Sequence, residues 1–323
     1  MSLCRSKIPW LLNADGTPGY TWSPTSGCSP ASSGCASCWA KAYHVRYRGG
    51  DFSVKLHPEK LDEPLRLRTP STIGVSLMGD LFHDDVPDEF IAAVFGIMAA
   101  AERHTFIVLT KRPERMRSIL SNVKDDWTLA AEDYLCAYEN YLYAYEESCK
   151  SFRQLNTGWF KDRPLPNVWP GVSIEDQATA DERIPILLDT PAAHRWVSLE
   201  PQIGAVEFTS WWLHGQTHDV NEHGEATHGP ALDLVIQGCE SGPRRRPFDL
   251  AWARSVRDQC KAAGVAYYLK QIQRCTDDDC HAYGTDNGCG MEWTCESGRK
   301  NTVREKPTLD GRQHLGLPWE VKP

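Results

Sequence analysis

Gly171-Val172-Ser173-Ile174-Glu175-Asp176 decides the fold. Val172-Ser173-Ile174 is a nearly apolar, β-branched run, as in a strand covered on both faces. Asp176 stands where a helix N-cap belongs, and the pattern behind it reads as a helix to Leu188. The same grammar recurs along the chain. Strands are expected at Gly19–Ser23, Ile73–Met78, Thr105–Thr110, Trp169–Ile174, Arg195–Leu199, Leu232–Gln237 and Ala266–Lys270. Helices are expected at about Ala36–Arg48, Asp88–Ala101, Pro113–Leu120, Asp176–Leu188 and Leu250–Ala263, with Asp88, Asp176 and Asp249 as N-caps and Gly264 as a C-cap. Strand-helix repetition means parallel strands. The expected fold is therefore α/β, a partial or complete (β/α) barrel of six to seven parallel strands.

Two stretches interrupt the repeat. A helical insertion is expected at about 121–167, where Tyr134, Tyr138, Tyr141, Tyr145 and Phe152 share a helical face best explained as core packing. Leu213 to Ala231 reads as a flexible loop, with His218, His223 and His228 solvated. The barrel would occupy 1–272 and a cysteine-rich extension 273–323.

The 323 residues include twelve cysteines and carry a net charge of −8. That charge argues against polyanion binding over the whole surface. No apolar signal core and no stretch of membrane-helix length is evident, so a reducing cytoplasmic setting is expected, where grouped cysteines read as metal or cluster ligands.

The densest group lies in Gly27-Cys28-Ser29-Pro30-Ala31-Ser32-Ser33-Gly34-Cys35-Ala36-Ser37-Cys38-Trp39. Cys28, Cys35 and Cys38 can converge because glycine and proline let the loop curl. Three thiolates are an odd set for structural zinc, which takes four ligands. They suit a [4Fe–4S] cluster with one iron open to a ligand, although four cysteines are usual. The competing reading is a non-enzymatic zinc module in which His44 completes the set.

Polar residues follow the strands: Asp80, Glu175, Glu200 and Glu240 each stand within two residues of an expected strand end. In (β/α) folds these ends build the active site. Basic residues collect there too. Lys111, Arg112, Arg244, Arg245 and Arg246 suggest a basic rim that holds a phosphate-bearing substrate, with Lys270 beside the seventh strand.

The chain resembles the three-Cys-motif phage proteins, which are radical-SAM-like. The resemblance rests on Thr21-Trp22-Ser23-Pro24, the cysteine loop, Met78-Gly79-Asp80-Leu81-Phe82-His83, Leu109-Thr110-Lys111-Arg112-Pro113 and Gly171–Glu175. It continues through Ala180–Pro185, Ser198-Leu199-Glu200-Pro201, Gly238–Pro243 and Lys270-Gln271. The usual radical SAM cysteine gaps are three and two residues, whereas here they are six and two.

The resemblance implies that Cys28, Cys35 and Cys38 hold the cluster and that S-adenosylmethionine binds its open iron. A 5′-deoxyadenosyl radical would then abstract hydrogen from the substrate. Asp80, Ser173, Glu175, Gly238 and Glu240 are the expected cofactor-binding residues. The implied substrate is nucleic acid, with DNA bearing a modified thymine favoured and rearrangement of an attached amino acid as the example. An electron donor is required; host cytoplasm is the expected location if the protein is phage-encoded. In the tail, Cys275, Cys280, Cys289 and Cys295 have a spacing that suits zinc or an auxiliary cluster.

Overall fold

The computed structural model describes residues 3–122, 164–220, 226–241, 245–275, 300–303, 308–310 and 312–317. Its main sheet runs, in chain and spatial order, through β1 (Cys4–Arg5), β2 (Tyr20–Trp22), β3 (Thr72–Val75), β4 (Thr105–Thr110) and β5 (Val168–Ile174). It continues through β6 (Trp196–Leu199), β7 (Leu234–Gly238), β8 (Ala266–Cys275) and β9 (Lys300–Val303). Strands β2 to β8 are the seven expected ones, all parallel to their neighbours, while β1 and β9 add antiparallel edges.

Each edge strand occupies the side on which a barrel would close. The sheet is therefore open among the described residues, and the complete barrel is corrected to a partial one. The boundary expected at 272 also falls inside β8. Described parts of the tail return to the sheet: β9 pairs with Ile272–Cys275, and Leu309 and Leu317 are buried. Burying these two side chains removes apolar surface from water, so this part of the tail packs as body rather than as an appendage.

The helices are α1 (Trp39–Tyr47), α2 (Asp88–Ala100), α3 (Pro113–Ser121), α4 (Gln177–Leu188) and α5 (Leu250–Ala263). Asp176 caps α4 through a reciprocal box with Thr179, and Asp249 caps α5 by accepting from the Ala251 N–H. Gly264 ends α5 in a left-handed conformation. Asp88 is not a cap. Pro87 holds that position and Asp88 is the first helical residue, where its charge still favours the helix N-terminus. A short helix, Ser210–His214, runs into the start of the loop expected at Leu213–Ala231, which then holds an antiparallel pair, Thr217–Val220 with Ala226–His228. Most of the expected insertion, 123–163, and most of the cysteine-rich tail lie outside the described residues.

Alternation along the strands sorts the core into two layers. Phe106 and Val108 of β4, Val172 and Ile174 of β5, and Val197 and Leu199 of β6 join α2, α4 and α5 in one cluster. Ile107, Trp169, Trp196, Ile236 and Tyr268 face the other way, onto Trp10 and Leu11. Two steps further along that second face come Leu109, Ser198 and Lys270, and four steps beyond Trp169 comes Ser173. There, at the C-terminal strand ends, the apolar layer gives way to a cavity.

Candidate functional site

The cavity has a volume of about 220 Å³. Its walls include Cys28, Cys35 and Cys38 from the loop, Ser173, Ser198 and Lys270 from the strands, and Asp80, Glu200 and Glu240 from the strand ends. Several short contacts hold the cysteine loop over these ends. Gly27 N–H donates to Met78 O at 3.2 Å and Cys28 N–H to Phe52 O at 3.0 Å. Gly27 has φ +84°, and a Cβ there would lie 1.9 Å from Ser53 O, so only glycine fits. Ser33–Ser37 then forms a 3₁₀ turn instead of the start of the long helix. Cys38 follows the turn, and its N–H donates back to Cys35 O at 3.2 Å. Cys38 then begins α1 by accepting from the Ala42 N–H.

Beneath the loop lies Glu175, fully buried, which accepts from Ser32 Oγ at 2.7 Å and pairs with Lys111 and with Arg183 (3.4 Å). A Cβ at Gly34 would fall 2.5 Å from Glu175 Cγ, so the loop descends directly onto this carboxylate. Glu175 supports the loop and does not line the cavity. Gly238 is also off the wall, against the side chains of Gln271 and Glu200.

Every strand-end carboxylate has a cation. Asp80 pairs with Arg112 at 3.0 Å and also accepts from Thr110 Oγ1 at 2.7 Å. Glu240 pairs with Arg246 at 2.6 Å, and Glu200 with Lys270 at 2.6 Å. The expected basic rim is thus interleaved with the expected carboxylates: Lys111, Arg112 and Arg246 are each already engaged. Arg245 is half-buried, and Arg244 lies outside the described residues. Glu200 and Lys270 were expected at strand ends but not as a pair, and Arg183 was not expected in the site at all. A signal for Arg183 was present, since Ala180, Arg183, Ile184 and Leu187 fall at the i, i+3, i+4, i+7 spacing of a buried stripe.

The thiols sit in unlike surroundings. Burial and the Asp80 charge raise the Cys28 pKa against the pull of Arg112, whose Nη1 lies 3.5 Å from the sulfur. Burial opposes the Cys35 thiolate too, but the Ala31 N–H at 3.4 Å and the Lys111 charge outweigh it and hold that pKa below its ordinary value. Burial also opposes the Arg112 charge, yet Asp80 and Cys28 raise its pKa overall.

Among the described residues no three His, Cys, Asp or Glu side chains stand close enough to ligate one metal ion. That counts against a mononuclear zinc site here, and His44 lines a different cavity and packs edge-on to Phe52. A cubane asks for something else. Its thiolates bind different irons, so they share one cavity without sharing one ion's shell. Cys28, Cys35 and Cys38 share one cavity, as that requires, and at Cys35 the Ala31 N–H and Lys111 favour the thiolate. Of the tail cysteines only Cys275 is described, at the end of β8; Cys280, Cys289 and Cys295 lie outside the described residues.

A family model described as "Protein of unknown function (DUF5131)" matches residues 5–322, so the chain belongs to that family. This is the family shown, in place of the three-Cys-motif phage proteins that the motifs resemble. No curated protein matches the sequence. Among solved structures, the chain is similar to spore photoproduct lyase complexed with dinucleoside spore photoproduct, at 10% identity and a TM-score of 0.36. That match covers 74% of this chain and 60% of the other. It is also similar to a cysteine-to-serine mutant of spore photoproduct lyase, at 9% identity and a TM-score of 0.39, covering 86% of this chain and 69% of the other. No helix among the described residues is long and apolar enough to cross a membrane.

Proposed function

We propose that the protein is a radical SAM enzyme acting on nucleic acid. One observation carries the reading: Cys28, Cys35 and Cys38 line a single cavity at the C-terminal ends of parallel strands, with Asp80, Ser173 and Glu240 on its walls. A [4Fe–4S] cluster bound by these thiolates would supply the electron that splits S-adenosylmethionine into methionine and a hydrogen-abstracting 5′-deoxyadenosyl radical.

The chain's residues bind and orient. Asp80 and Glu240 present carboxylate charge to the amino and sulfonium groups of S-adenosylmethionine, and Ser173 offers a hydroxyl. Arg112 steadies both Cys28 and Asp80. Glu175 acts through the loop it supports, and Gly238 through the Gln271 and Glu200 side chains packed on it. At about 220 Å³ the cavity is smaller than the roughly 300–1,000 Å³ of most small-molecule sites. Cluster and cofactor together would therefore also occupy the open mouth of the cavity.

The proposed substrate is phosphate-bearing, a nucleic acid, with a modified thymine base of phage DNA and rearrangement of its attached amino acid as the specific form. Lys111, Arg112, Arg244, Arg245 and Arg246 are the proposed rim for its phosphates, three of which, Lys111, Arg112 and Arg246, also pair with carboxylates of the site. Cys275, Cys280, Cys289 and Cys295 are proposed to hold zinc or a second cluster.

Anaerobic reconstitution with iron and sulfide tests the reading. The wild-type protein should become brown, bind about four irons at this site and release 5′-deoxyadenosine from S-adenosylmethionine on reduction. Cys28→Ala, Cys35→Ala and Cys38→Ala should each lose that iron and that product. Full iron content in all three variants would refute the ligand assignment.

A further inference from the structure

Helix α1 is chemically unlike the rest of the surface. Trp39, Tyr43, Val45 and Tyr47 are 51%, 44%, 54% and 63% exposed, and they are the large hydrophobic side chains most in contact with solvent among the described residues. Trp39, Tyr43 and Tyr47 recur every four residues, so they rise along one side of the helix in steps of about 6 Å. Tyr43 and Tyr47 rings lie 4.9 Å apart, and the Arg46 guanidinium stands 5.3 Å from the Tyr47 ring centre. A contiguous row of exposed aromatic rings leaves apolar surface in water, which marks an interaction surface.

Charge says what the partner is. Residues 39–60 hold five Lys and Arg (Lys41, Arg46, Arg48, Lys55, Lys60) against two acidic residues (Asp51, Glu59), in a chain of net charge −8. At the cavity every carboxylate has a cation. None of these five has a carboxylate partner in an ion pair among the described residues. Arg48, Lys55 and Lys60 line a second cavity of about 460 Å³, together with Tyr43, His44 and His57, and Glu63 is the one carboxylate on its wall, so three cations face one anion there. A membrane surface or an acidic protein would also attract cations. Aromatic rings interleaved with cations along one line, however, are the pattern that stacks successive bases while neutralising the phosphates between them.

The first turn of α1, Trp39 and Ala40, lines the three-cysteine cavity, and the next turn, Tyr43 and His44, lines the second one. One helix therefore connects the two. We propose that α1 and the cavity bounded by Arg48, Lys55 and Lys60 form a docking track for single-stranded nucleic acid, which leads a base toward Cys28, Cys35 and Cys38. This deepens the function proposed above by placing its substrate on a surface distinct from the strand-end rim. An unpaired strand also avoids extracting a base from a duplex.

The test is fluorescence anisotropy with the full chain and labelled dT15, and with the same strand annealed to its complement, over a salt series. Tyr43→Ala and Tyr47→Ala should each weaken dT15 binding by about 5- to 150-fold, the worth of one base stack. Tyr43→Phe and Tyr47→Phe keep the ring and should stay within about threefold of wild type. Replacing Arg46, Arg48, Lys55 and Lys60 by Gln should flatten the slope of log K against log salt by about 3, at ~0.7 per cation. Circular dichroism melts should match wild type, because the altered side chains lie at the surface.

Duplex bound as tightly as dT15, alanine variants that bind like wild type, or no dT15 binding at 50 mM salt would each overturn the track. So would a wild-type dimer that Tyr47→Ala converts to monomer, since a second copy would then be the occupant. The two proposals fail separately. Cleavage of S-adenosylmethionine without dT15 binding removes the track alone. Binding by α1 without cleavage in reduced, reconstituted protein removes the radical chemistry alone.

Discussion

Replacing Glu175 by alanine should cost more than any other single change at the loop. The carboxylate is fully buried and has three partners, Ser32 Oγ, Lys111 and Arg183. Lys111 is partly exposed and can turn its ammonium to water. The Arg183 side chain is 2% exposed and cannot; its Nη1 also donates to Ser173 O at 2.6 Å, and its buried Nε has no partner among the described residues. Glu175→Ala therefore strands a buried guanidinium. Removing one member of a buried ion pair costs about 3–5 kcal/mol. At about 2–4 °C per kcal/mol for a large domain, Tm should fall by roughly 6–20 °C. Urea unfolding monitored by tryptophan fluorescence measures the same loss at 25 °C. Glu175→Leu combined with Arg183→Met removes both buried charges and should be more stable than Glu175→Leu alone, by a non-additive margin. A Glu175→Ala protein within about 1 kcal/mol of wild type would refute the reasoning, as would a double variant no better than the single.

Two further outcomes follow from the titrations. In reduced, metal-free protein at pH 8, Cys35 should react with iodoacetamide before Cys28, because burial raises the Cys28 pKa whereas the Ala31 N–H and Lys111 bring Cys35 below its ordinary value. Lys111→Met should narrow that gap, and mass spectrometry showing Cys28 modified first would contradict the assignment. His104, 1% exposed, accepts the Ser71 N–H at Nδ1 (3.1 Å) and approaches Pro64 O with Nε2 (3.0 Å), so its neutral form uses both nitrogens. Burial lowers its pKa; the unfolded chain then takes up the proton first, and stability is lost as pH falls below about 6.5. His104→Phe should be less stable at pH 7 but flatter in Tm between pH 7 and pH 5, and an unchanged slope would rule His104 out as a source of acid sensitivity.

The seven parallel strands were legible because each is a short β-branched or aromatic run between helical patterns, and apolar alternation specifies which face each residue takes. Edges were not legible in the same way. Cys4–Arg5 is too short to carry a period, yet its pairing with β2 helps keep the sheet open. The start of α1 was misplaced because Cys35-Ala36-Ser37 suits a 3₁₀ turn as well as an α-helix, and the contact between Gly34 and Glu175 is a matter of tertiary packing. Asp88 was misread because its charge favours a helix N-terminus whether it stands at the cap or one residue inside. The ion pairs were partly within reach. Once parallel strands are taken to neighbour in chain order, Asp80 after β3 must face Arg112 after β4, and Lys111 must face Glu175 after β5. Glu200 with Lys270 spans β6 to β8 and needed the three-dimensional register.

That pairing changes what charge can say about this molecule. Basic and acidic residues gathered at strand ends look in sequence like two binding surfaces, one for a cation and one for an anion. In space they neutralise each other across neighbouring strands, and several are more than nine-tenths buried, where an unpaired charge would be costly. The cavity is therefore nearly balanced in charge, which suits a cofactor carrying both an ammonium and a carboxylate better than it suits a run of phosphates. Five cations without a carboxylate ion pair among the described residues, Lys41, Arg46, Arg48, Lys55 and Lys60, lie elsewhere, on α1 and just after it, and three of them line the cavity behind it. If phosphates bind this acidic chain, electrostatics directs them there, and the aromatic ladder of Trp39, Tyr43 and Tyr47 gives the bases between them a place to stack.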